Sequence, residues 1–177
     1  MPTFFKNTLR QVALCIVAAL VLAGCASNGG DLSPAGSVAT TVSIVSHYGK
    51  GIGITEAYLD GGYIGLVDGW GEGGGNCCVS LRLMGNQPTM VTVKWKTSRD
   101  HVDEERWHEE TVPVHFAVPP GKGSGLNVHF LPGYHAQVWY ASMGPSSTIY
   151  PGPAYMPAPA PEYVPLPNEK PNPAKVK

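Results

Sequence analysis

Between Ser37 and Met143 apolar and polar residues alternate with a period of two, the pattern of strands that bury one face. In "MVTVKWKT" Val91, Val93 and Trp95 share one face, and Thr92, Lys94 and Lys96 the other. "TVPVHFAV" groups Val112, Val114, Phe116 and Val118, and "LNVHF" groups Leu126, Val128 and Phe130. "HAQVWYA" and "TVSIVS" read as further strands with less exclusive faces. "EAYLDGGYIG" sets Gly61-Gly62 between two short apolar runs, a hairpin signal. No apolar stripe recurs at helical spacing. The polar run "RDHVDEERWHEE", Arg99 to Glu110, reads as a solvated loop, a short helical turn or the tip of an extended hairpin. The pattern predicts an all-β domain, a small β-sandwich or open barrel of about seven to eight short strands.

The flanks have other compositions. Lys6 and Arg10 precede the apolar run Val12 to Leu22, which is too short to cross a bilayer and ends in small residues, as a secretory signal does. "LAGC", Leu22 to Cys25, resembles a bacterial lipobox, in which the cysteine is acylated and becomes the first mature residue. Residues 1–24 are therefore expected to be a lipoprotein signal peptide, and 25–36 a flexible tether from lipidated Cys25. Acyl chains such as palmitate hold firmly, because each buried methylene contributes about 0.8 kcal/mol. Ala26, not Asp, follows the cysteine, which favours the outer membrane, facing the periplasm of a Gram-negative cell. The β domain spans 37–143. From Gly144 onward ten of the 34 residues are proline, so 144–177 are expected to be an extended or disordered tail that cannot join sheets or helices.

Processing also decides charge and redox chemistry. Removing residues 1–24 takes Lys6 and Arg10 from the 12 basic residues and nothing from the 13 acids, leaving a chain near −3. No concentrated basic patch remains, which argues against nucleic acid as a partner. Cys15 leaves with the signal and Cys25 carries lipid, so Cys77 and Cys78 can form an intramolecular disulfide only with each other. In a regular strand Cys77 would point inward with Val79, Leu81 and Leu83, and Cys78 outward, which leaves one buried and one surface thiol. A vicinal disulfide is the other reading; it needs the backbone bent, which the glycines of "GWGEGGGNCC" permit. That glycine run lacks the strand-turn-helix context and the Lys of a phosphate loop, and reads as a tight or bulged loop. Adjacent cysteines lack the separation by which zinc ligands converge.

His47, His101, His108, His115, His129 and His135 show no His-x-His or His-Glu-x-x-His spacing and read as solvated strand and loop residues. His115 and His129 both fall on outward faces. No Gly-x-Ser-x-Gly elbow occurs, and no nucleophile, base and orienting group come together, so a non-catalytic protein without cofactor or metal is expected. Tyr150, Tyr155 and Tyr163 punctuate the tail, where proline-rich chain either spaces or binds aromatic grooves.

"GGGNCCVSL", then "VTVKW", then "LNVHFLPGYHAQVWYAS" together resemble the domain of unknown function 3304 family of proteobacterial proteins, many of them short lipoproteins. The resemblance runs from the "VSIVSHYGKGIGITEAYLDG" strands to about Ser142. The family's Trp-containing proline turn before the Lys-Trp strand reads "RLMGNQPTM" here, with Pro88 and no Trp. Some members are encoded beside type VI secretion phospholipase effectors and look like periplasmic immunity proteins. The resemblance thus implies a membrane-anchored binding protein whose partner is a secreted lipase. The alternative is a structural or assembly envelope lipoprotein that uses its tail as spacer or partner-binding segment.

Overall fold

The structure, a computed structural model, describes residues 36–100, 102–154, 159–164 and 168–169, leaving aside the side chains of Asp103 and Glu104. The expected signal peptide, the expected tether up to residue 35, Cys25, His101 and Tyr155 lie outside the described residues.

Eight strands form among the described residues: β1 (Ser37–His47), β2 (Ile52–Leu59), β3 (Gly62–Asp68), β4 (Trp70–Arg82), β5 (Met90–Arg99), β6 (Val102–Phe116), β7 (Gly125–Leu131) and β8 (His135–Ala141). They build one sheet in the order β3-β2-β5-β6-β8-β7-β1-β4. The pairs β1–β7 and β6–β8 are parallel; the others are antiparallel. The edge strands β3 and β4 are joined through Gly69 alone and come together, so the sheet curls into a nearly closed barrel. Of the two architectures expected, the barrel is the one adopted.

The glycine run explains the closure. It lies within strand β4, not in a loop, and faces β3 at van der Waals distance. A Cβ on Gly73 would stand 2.5 Å from Val67 Cβ, and one on Gly74 would stand 3.7 Å from the Leu66 carbonyl. Asn76 Nδ2 then donates to the Tyr63 carbonyl at 2.8 Å and ties the two edges. Closing the edges removes a template for strand addition by other chains.

Alternation along β5 is followed closely: Val91, Val93 and Trp95 are buried. They pack with Phe130, Tyr140, Ile44, Ile54 and Leu126, each contributing roughly 1.5–3 kcal/mol by burial. Trp95 is fully buried because its indole N–H donates to Tyr48 OH at 3.0 Å. The polar run after Arg99 is the hairpin tip: Arg99 pairs with Val102, and the ladder continues to Met90–Pro113. The β2–β3 turn sits one residue earlier than the Gly-Gly pair suggests. Asp60 (φ 48°) and Gly61 (φ 83°) make the turn, and Leu59 pairs with Gly62. Both central residues need positive φ in such a two-residue hairpin, and Asp tolerates it. Its carboxylate also accepts from Thr92 N at 2.7 Å.

The tail departs from its expected course. Pro161 O accepts from Lys50 N at 2.7 Å, Tyr163 N donates to Lys50 O at 3.0 Å, and Tyr150 and Glu169 are buried. These described residues lie back against the domain, because tyrosines and an acid among the prolines find partners there. Proline forbids regular pairing but not docking.

Candidate functional site

Cys77 and Cys78 are joined by a disulfide across a cis peptide bond. Thr40 pairs with Val79 and Val42 with Asn76, so the two cysteines together oppose Thr41 alone. They are a β-bulge, the two-against-one insertion that breaks strand alternation. Both cysteines are therefore exposed, and the inward position expected for Cys77 is not taken. A bonded, exposed pair offers no thiolate for nucleophilic work, though a thiol reductant can reach it. Among the described residues no group of three or more His, Cys, Asp or Glu is placed to hold a metal ion.

The histidines divide differently from their expected solvated state. His129 does leave the outward side of β7, yet it is fully buried. β7 runs between β1 and β8, and the tail covers its outer side. His129 Nε2 lies 2.7 Å from Tyr150 OH, and its Nδ1 lies 2.9 Å from Nε2 of buried His47. Tyr150 also meets the Trp139 ring, so it works as a plug. Burial first, and the neighbouring His47 second, pull His129 down to about 3. Burial lowers His47 as well. Both rings are therefore neutral at pH 7, and a neutral pair can donate one way along Tyr150, His129 and His47. His115 stays exposed and stacks on Trp139, not beside His129. His135 is exposed beside Glu110 at 3.4 Å.

A second polar group fills one mouth of the barrel. Extending the β5 alternation past Trp95 brings Thr97 and Arg99 inward, and both are buried. Across the ladder His108 bonds Thr97 Oγ1 through Nε2 at 2.9 Å and stacks on Tyr134 with 3.9 Å between centroids. Burial first, then the charges of Arg106 and Arg99, bring His108 to about 4. Arg99 Nη1 donates to Tyr134 OH at 3.1 Å and to the Glu169 carboxylate. Tyr134 and Tyr163 hydroxyls donate to the same Glu169 oxygen at 2.7 and 2.9 Å. Burial opposes the Glu169 anion, but those hydroxyls and the Arg99 charge outweigh it and hold the carboxyl below its ordinary range. Continued alternation was the signal for Arg99; nothing local signals Glu169.

The third arrangement is on the outer face of β2, β3, β5 and β6. Tyr58 meets Tyr63 and Trp107 edge-on or tilted, with centroids 5.5 and 6.2 Å apart. Tyr63 and Trp107 are each 45 % exposed, a large aromatic surface left in water. Lys94 and Lys96 lie over the Trp107 ring at 5.0 and 5.5 Å, and Lys96 bridges Glu56 at 3.1 Å and Glu105 at 2.6 Å. A depression of about 390 Å³ opens there, lined by Glu56, Tyr58, Thr92, Lys94, Trp107 and Glu109 among others. Exposed aromatics with a charged rim are the composition of protein-binding hot spots. Sequence alternation places these residues outward but does not bring the three rings together.

No curated protein and no solved structure matches the chain. One family model does, over residues 40–138, described as a protein of unknown function (DUF3304). The matched span runs from β1 into β8. It holds the glycine run, the cysteine bulge, Arg99, His108, His129 and the outer rings, while Tyr150, Tyr163 and Glu169 lie beyond it. On that match over more than half its length, the chain belongs to the DUF3304 family.

Proposed function

We propose that this protein is a non-catalytic binding protein, anchored through acylated Cys25 to the periplasmic side of the outer membrane, that neutralises a type VI secretion phospholipase. The observation that carries the binding part is the outer aromatic face of Tyr58, Tyr63 and Trp107. Burying two such rings in a partner is worth about 2 kcal/mol or more each at a hot spot. The face lies on paired strands, so the rings are held in place before binding and little ordering entropy is lost. An anchored inhibitor would meet the lipase at the membrane where it acts.

Tyr63→Ala with Trp107→Ala should leave the melting temperature within a few degrees, since both side chains are already half in water. The pair should weaken inhibition of a type VI phospholipase from the same genome by roughly a hundredfold or more. Fatty-acid release from phospholipid vesicles, titrated with each protein, reads this directly. Equal inhibition by parent and double variant would remove the face from the interface.

The spacer alternative draws less support. Its tail should run away from the domain, whereas the described tail residues lie on it.

A further inference from the structure

We propose that the barrel mouth around Arg99 is a recognition site for a carboxylate carried on an extended, proline-flanked peptide segment, and that the chain's own tail is its resident occupant. The acceptor side is carried by the barrel itself, on β5, β6 and the β7–β8 turn. Arg99 is an inward-facing guanidinium with no exposed side-chain surface, fixed by Tyr134, which in turn is stacked on His108. A buried guanidinium is stable only with an anion and full hydrogen bonding, so the site selects negative charge. The carboxylate that the structure places on it comes from Glu169, 70 residues away in sequence and outside the family's matched span.

The approach to the site is shaped for extended main chain. Lys50 exchanges two backbone hydrogen bonds with Pro161 and Tyr163, a short parallel bridge of the strand-addition kind. Gly49, at φ 108°, makes room: a Cβ there would lie 2.5 Å from the Pro161 carbonyl. Beside this bridge Tyr48, Trp70, Tyr134 and His47 line a cavity of about 300 Å³, with Pro161 and Tyr163 along its edge. The Trp70 indole N–H is buried without an acceptor among the described residues. Aromatic walls are how proline-rich segments are read. The exposed Lys50–Glu162 pair adds little, so affinity rests on the main-chain bridge, the tyrosines and the Arg99 carboxylate contact.

Because the tail is tethered, an outside segment competes against an effective concentration on the order of millimolar. A labelled synthetic peptide of residues 159–177 tests the site on the full-length protein. Glu169→Gln with Tyr163→Ala in the protein should raise its affinity for the peptide by at least about tenfold over the parent. Replacing the peptide's own Glu169 by Gln should lower binding to that variant by about tenfold. Equal binding of the two peptides, or equal binding by the variant and parent proteins, would overturn the proposal. A measurement on the parent covers a variant that fails to fold. Excess peptide should speed amide hydrogen exchange at Tyr163, whose N–H donates to Lys50 O, and unchanged exchange at saturating peptide would equally refute the site.

Discussion

Gly69→Ala is expected to destabilise the domain by about 3 kcal/mol or more, at or beyond the upper end of ordinary overpacking. Gly69 is the single residue between β3 and β4, and a Cβ there would lie 2.0 Å from the Gly49 carbonyl and 2.1 Å from that of Ile52. Those neighbours are main chain and cannot rotate away. The Gly69 carbonyl also accepts from Gly49 N at 2.9 Å and Ser46 Oγ at 2.9 Å, so any shift breaks bonds as well. Gly61→Ala is the matched control. Its φ is also unfavourable, but its Cβ would meet nothing within 4 Å, so its cost is only about 1 kcal/mol. Denaturant midpoints of the two variants measure the difference. Equal losses would mean that the close β3–β4 junction does not hold the barrel shut.

Acid should destabilise the protein steeply between about pH 6.5 and 4, with the loss beginning above the range of carboxylate titration. His129 falls to about 3 and His108 to about 4 in the folded protein, against an unfolded value near 6.5. Below pH 6.5 the unfolded chain binds protons that the folded one refuses. Stability is therefore fully present above 6.5 and is lost as pH falls. Two such groups give a slope of as much as about 2.7 kcal/mol per pH unit, and less in so far as His108 is partly exposed. Glu169, held low in the fold, adds its own loss at more acid pH, as its carboxylate takes up a proton. His129→Gln should cut the proton uptake on unfolding by up to about one, lowering the slope of stability against pH by as much as about 1.4 kcal/mol per pH unit. A variant with the parent's slope would mean that His129 is not held neutral by burial.

Much of the fold is legible in the sequence because strand alternation is local. Val91, Val93, Trp95, Val112, Val114, Leu126, Val128 and Phe130 all lie buried on the faces their spacing gives them. What depends on distant chain is not legible. His129 reads as outward and is outward; its burial comes from Tyr150, 21 residues later. The cysteine pair reads two ways because only the register against β1 decides that Thr41 faces both residues. The tail's prolines rule out regular pairing and say nothing of the separate contacts made by Tyr150, Tyr163 and Glu169. That docking also alters what truncation means. Removing 144–177 would uncover His129 and Arg99, so loss of function after truncation would not by itself make the tail a spacer.

Sister-cell competition tests the central claim most directly: that this is an anchored protein which neutralises a type VI phospholipase through its outer aromatic face. A strain lacking the gene is mixed with its parent under conditions where secretion is active, and survivors are counted. The deletion strain should be killed by the parent and spared when the parent's secretion apparatus is disabled. The intact gene should restore survival, whereas Cys25→Ser and the Tyr63→Ala, Trp107→Ala pair should not. A deletion strain that competes as well as its parent would contradict the account.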